Sequence, residues 1–152
     1  MKAMLTALAL LGMAVPSAAQ TVRSAEGDWS DMPEIKFDHS ISMSMSMEVP
    51  EAIQRLVQKG KCSVSGVTKR RVDMDVPFLI RFSPTNAVDE VVVRKLGCER
   101  AEAILGAAII KLAKAGALKP TGQNVTGWYR SNLSFEMNRF GALAPRKGAA
   151  AA

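Results

Sequence analysis

The sequence holds one histidine, His39, and two cysteines, Cys62 and Cys98, among 152 residues. It has no CxxC pair, no HExxH and no GxxxxGK[ST] loop. Those absences argue against most metalloenzymes and against P-loop nucleotide chemistry. Beyond the first twenty residues no stretch approaches the about 20 consecutive apolar residues that a membrane-spanning helix needs. With 48% hydrophobic and 22% charged residues, the composition is not that of collagen, mucin, a membrane channel or a wholly disordered chain.

The amino terminus carries an address. Lys2 precedes an apolar run from Ala3 to Val15, and Pro16-Ser17-Ala18-Ala19 supplies small residues for a cut after Ala19. Residues 1–19 therefore read as a secretory signal peptide, and the mature chain as periplasmic or secreted. Removing Lys2 leaves that chain one charge short of the +6 of the full sequence. In an exported chain two cysteines are most simply a Cys62–Cys98 disulfide. Two separate thiols are the alternative. A redox-active pair is disfavoured by the wide spacing.

Residues 20–40 are polar and aperiodic and read as a flexible leader, with Trp29 as an aromatic suited to docking on the domain. A folded domain is expected over 41–138 and a disordered tail over 139–152. Ile41, Met43, Met45, Met47 and Val49 alternate with polar residues, the period of a half-buried strand. Pro50 to Gly60 reads as a short helix, with Ile53, Leu56 and Val57 on one stripe. Met74, Val76, Phe78, Ile80 and Phe82 alternate as the strongest strand, with Pro77, which cannot donate to a ladder, expected to break or bulge the pairing on that side. Ser83 to Asn86 is a turn, and Val88–Val93 returns as a second strand. Glu99–Ala115 is the longest helix, stopped by Gly116, with acids at its start and lysines at its end. Residues 124–137 form the last strand.

The expected fold class is α+β. A hairpin followed by a crossover helix places the third strand beside the first, giving a three-stranded antiparallel sheet of order 2-1-3. A long helix covers one face, and the second and third strands are left as edges.

The run Pro50-Glu51-Ala52 with a helix ending at Gly60, the hairpin Val76–Val93, the helix Ala101–Ala115, Leu118-Lys119-Pro120, and then Gly122, Val125, Gly127-Trp128, Leu133 and Phe135 resemble the TonB carboxy-terminal domain over residues 49–138. The link Lys61–Arg71 is longer than usual in that family, Ala117-Leu118 replaces its aromatic helix exit, and the cysteine pair belongs to only some relatives. The resemblance implies the fold and a habit of binding a partner. It does not imply energy transduction, because a leader of this length reaches at most about 100 Å when fully stretched.

Several constellations carry possible chemistry. Met43, Met45 and Met47 share a face in an extended chain, and with His39 they form a soft donor set suited to Cu(I). The blander alternative is the buried face of a strand. His39 beside Asp31 or Asp38 is a weak catalytic arrangement, and no residue set supports an enzyme or a cofactor. Lys69-Arg70-Arg71 lacks the aromatic residues of a nucleic-acid surface, so nucleic acid is not expected as a partner. Asn124-Val125-Thr126 and Asn132-Leu133-Ser134 match a glycosylation pattern, discounted because both fall in the expected last strand and the resemblance implies a bacterial source. Trp128, Tyr129, Arg130 and Asn132, on an expected edge strand, are the candidate contacts for a protein or peptide partner in the periplasm or at the outer membrane. A partner strand is expected to add to this third strand.

Overall fold

The computed structural model describes residues 20–37, 47–120 and 126–138. Residues 1–19, expected to be a signal peptide, and His39, Met43, Met45, Asp38, Asn124 and residues 139–152 lie outside these residues. Among the described residues the order is β1 (Thr21–Ala25), α1 (Glu48–Gln58), β2 (Arg71–Phe82), β3 (Val88–Arg94), α2 (Glu99–Lys114) and β4 (Gly127–Asn138).

The sheet is four-stranded and mixed, in the order β1-β3-β2-β4. This corrects the three-stranded antiparallel sheet of order 2-1-3. The extra strand comes from the stretch read as a flexible leader: Thr21–Ala25 pairs in parallel with Glu90–Arg94. Its β3 neighbour is therefore an interior strand and not an edge. No alternation announces β1, because it is a short edge strand. Only Val22 offers an apolar side chain to the helices.

Alternation along β2 fixes the two faces. Val72, Met74, Val76, Phe78, Ile80 and Phe82 are buried and meet Ile53 of α1 and Leu105 and Ile109 of α2 in one core. From β4 this face receives Leu133, Phe135 and Met137. Burying a large aliphatic or aromatic side chain here contributes about 1.5–3 kcal/mol. The helices lie on this face, α2 over β3 and β1, and α1 against α2 and β2.

Helix boundaries follow from backbone chemistry. The first helix begins at Glu48 with Met47 as its N-cap, so Met47, Glu48 and Val49 do not continue a strand. Pro50 falls in the first turn, where a missing N–H costs nothing. Gly60 ends α1 at φ +65°, with Lys61 N–H donating to the Leu56 carbonyl and Gly60 N–H to that of Val57. Gly116 ends α2 in the same left-handed pattern.

Pro77 interrupts pairing only on the side that its N–H would face. The β2–β4 register runs unbroken from Arg71↔Asn138 to Phe82↔Gly127, and the only shift lies between Arg81 and Phe82 against β3. Pro77 is tolerated because its missing N–H would face the β3 side, and β3 pairing ends one residue on, at Phe78↔Val93. Below that point the loop after Cys62 takes over: Asp73 N–H donates to the Gly66 carbonyl at 2.8 Å. A Cβ on Gly66 would lie 1.9 Å from the Asp73 oxygen, so this approach requires glycine.

Cys62 and Cys98 are disulfide-bonded, with Cα atoms 5.6 Å apart. The bond ties the loop after α1 to the N-terminus of α2. Closing a loop of 36 residues contributes about 3–4 kcal/mol in the chain-entropy model. No described helix is long and apolar enough to cross a membrane.

Candidate functional site: the outer edge of the last strand

The face away from the helices is polar and crossed by a strap. Trp128 pairs across from Arg81, whose guanidinium lies 5.4 Å from the indole centroid. Arg81 also reaches Glu90 at 3.5 Å, and Arg23 of β1 forms an ion pair with the same Glu90. Leu79 and Val92 are buried in the next row, between Arg130 and Arg23. Trp128 is thus on the face opposite the long helix. Tyr129 points the other way and meets Phe82 edge to face at 6.0 Å.

After β1 the chain turns across this face. Ser30 donates its amide to the Asp28 carboxyl at 3.0 Å; that bond and the Ser30 hydroxyl hold Asp28 below the usual carboxylate range. Arg94 donates to the Gly27 carbonyl at 3.0 Å and lies 5.9 Å from the Trp29 ring centroid. At the far edge of the sheet the strap pairs with β4. Arg130 N–H donates to the Pro33 carbonyl, and Ile35 N–H donates to the Arg130 carbonyl, both at 2.9 Å. Arg130 Nε donates to the Met32 carbonyl at 2.9 Å, and its guanidinium stands 3.5 Å from Glu34. Ile35 is buried, and Phe37 packs on Phe78 at 5.9 Å.

These bonds set the polarity of the whole edge. In an antiparallel ladder, alternate residues turn their backbone groups outward. Arg130 does so, and the register is unbroken, so Asn132, Ser134, Glu136 and Asn138 do too. Among the described residues no backbone group pairs with this edge beyond Arg130. The site is therefore a sheet edge about eight residues long, from Ser131 to Asn138, that begins where the strap leaves off. Asn132 is exposed on a groove of about 290 Å³ that Trp29, Glu34, Pro77 and Arg94 also line.

The sequence candidates divide accordingly. Asn132 lies on the open edge. Arg130 is bonded to the strap through both its backbone and its side chain. Trp128 is engaged with Arg81, and Tyr129 with the core face. Asp31 lies on the exposed strap. Met47 caps α1 and packs against the core, so it is not part of an exposed ladder. No group of His, Cys, Asp and Glu that could hold a metal occurs among the described residues. Reading the sequence alone misses the strap residues Pro33, Glu34 and Ile35, although the apolar pair Ile35 and Phe37 inside a polar stretch is a signal.

It also misses Glu102, the one buried charged side chain among the described residues. Burial opposes its ionisation, but the Leu96 amide at 2.6 Å, the Ser24 hydroxyl and the Cys98 and Gly97 amides outweigh burial and hold its pKa below the usual value. Glu102 thereby joins β1, the loop after β3 and the start of α2. Comparison with family models, curated proteins and solved structures finds no match.

Proposed function

We propose that this is an exported, non-enzymatic binding module, periplasmic or secreted, that takes up an extended segment of a protein partner along the outer edge of β4. The resemblance to the TonB carboxy-terminal family supports the partner-binding habit. The observation that carries the reading is the pairing at Arg130. Its outward N–H and C=O are already bonded to the chain's own Pro33 and Ile35, so this edge accepts main-chain pairing, and the residues beyond Arg130 offer the same alternating groups. Main-chain bonds supply affinity in this mode, and side chains such as Asn132 supply selectivity.

Ser134→Pro removes one outward N–H at a position where a ladder to β2 needs none. Ser134→Ala keeps that N–H and removes the same hydroxyl, which bonds Asp75. Partner recovered from periplasmic and outer-membrane extracts should fall at least about tenfold with Ser134→Pro and stay near wild type with Ser134→Ala. Circular dichroism and thermal melting certify both folds. Full recovery by a folded Ser134→Pro protein would sink strand addition.

A further inference from the structure

The free length of β4 runs towards one end of the sheet, and that end is basic. Asn138 pairs with Arg71, the first residue of β2, directly after the loop that carries Lys69 and Arg70. The loop is held in place: Gln54 and Gln58 of α1 donate to the Thr68 and Lys69 carbonyls, each at 3.2 Å. The Thr68 hydroxyl accepts the Arg70 and Arg71 amides at 3.3 and 3.0 Å. Bonding from Gln58 to Lys69 brings the C-terminal end of α1, with Lys59 and Lys61, to the same place. All four side chains, Lys59, Lys61, Lys69 and Arg70, belong to exposed residues.

Nearby acids cancel them only in part. Asp73 and Glu136 face this end from β2 and β4, and both pair with Arg71, at 2.8 and 3.5 Å, so two carboxylates share one guanidinium and leave one negative charge over. Among the described residues the other four cations have no ion pair. A strand lying along Asn132–Asn138 therefore ends beside four exposed cations and a local excess of positive charge.

We infer that the partner segment is acidic where it passes Asn138, with carboxylates meeting Lys59, Lys61, Lys69 and Arg70. The inference rests on the strand-addition reading and names the chemistry of its partner. Loop and edge form one surface: the backbone of β4 takes the segment, and the basic end sets its direction of charge.

The test uses the full mature chain and synthetic probes. One is a seven-residue Thr/Ser/Val peptide flanked at each end by three Asp; its twin carries three Asn at each end. In about 0.05 M salt the Asp probe should bind about tenfold tighter by fluorescence anisotropy, and the gap should narrow in about 1 M salt. Replacing the four cations together (K59Q, K61Q, K69Q and R70Q) should remove the preference and leave the Asn probe unaffected. A control of equal net charge (K95Q, R100Q, K111Q and K114Q) should keep it. Equal binding of the two probes overturns the inference. So does a preference that survives the first set, or one lost equally with the control. An Asp probe N-methylated at alternate backbone amides separates the two ideas. If it binds as well as the plain probe, strand addition fails while the acidic preference stands. If neither plain probe binds, both fail.

Discussion

The two edges of the sheet are protected by different means. At one edge β1 is five residues long and is tied down on both faces. On the helix side Val22 lies against Gly106 of α2 and Ser24 bonds the Glu102 carboxylate; on the other face Arg23 pairs with Glu90. At the other edge β4 is twelve residues long. Its inward side chains are buried, but only Arg130 has its outward backbone groups occupied by described residues. A short edge backed by side-chain ties and a charged residue resists additional strands. A long edge finished by one stretch of strap invites them. The proposed binding at β4 draws on this difference, and β1 is a structural closure.

The largest expected effect breaks the β1 closure at its buried charge. Glu102→Ala leaves the Leu96 and Cys98 amides without their acceptor in a buried setting, and should cost about 3 kcal/mol in urea unfolding. Glu102→Gln tests the charge itself. The hydrogen bonds to the carboxylate outweigh its burial and hold the folded-state pKa below the ordinary value, so the carboxylate's contribution is complete above the unfolded pKa and is lost as pH falls through the lower folded one. The stability gap between wild type and Glu102→Gln should be widest at neutral pH and close in acid. A gap independent of pH would mean that the carboxylate acts by shape alone. Amides of Val22–Ala25 should lose protection before those of Leu133–Met137 if the closure belongs to β1.

A second break, smaller, uses the same contact from the helix. A Cβ on Gly106 would lie 2.1 Å from Val22 Cγ1. Alanine is the better helix former by about 1 kcal/mol, so an exposed site would gain stability. Here the added methyl must push β1 from α2, and Gly106→Ala should instead lose about 2 kcal/mol. Pairing it with Val22→Ala should recover part of that loss. A stabilised Gly106→Ala protein would show that β1 does not need this close approach.

The glycine also shows what the sequence could disclose. Periodicity disclosed β2, β3, α2 and much of β4, because each buries one face against a shared core. Gly60 and Gly116 marked the helix ends, because only a left-handed residue closes those caps without strain. The cysteine pair followed from an export signal and a count of two. By contrast, β1 left no pattern: in Thr21-Val22-Arg23-Ser24-Ala25 a single apolar side chain does the packing, and its partner is a glycine with no side chain to advertise the contact. The strap gave only the hint of Trp29, Ile35 and Phe37 in a polar stretch, since its attachment at Arg130 is made by backbone groups that every residue carries. Arg130 itself looked like a free anchor, and its partners lie almost a hundred residues away. Met47 looked like the last rung of a ladder, but its position before an acidic turn and Pro50 makes it the start of a helix.

The smallest effect sharpens the comparison at β4. Arg130→Met keeps the backbone bonds to Pro33 and Ile35 and removes two side-chain ties, the bond to the Met32 carbonyl and the exposed pair with Glu34. Exposed ties of this kind contribute about 1 kcal/mol or less. Global stability should change by no more than that, and the β1 amides should exchange as in wild type. The Ile35 amide reports on the strap, since its acceptor is Arg130 itself. Its exchange should quicken about fivefold, the factor that matches about 1 kcal/mol of local opening. A strap that opens more often exposes the outward groups of Arg130 and lengthens the free edge by one pairing position. Partner recovery should then hold or rise, opposite to the loss expected from Ser134→Pro. If Arg130→Met instead abolishes partner recovery while Ile35 stays protected, the guanidinium is itself a contact. The strap would then be part of the binding surface, and the free edge would not be where the partner begins.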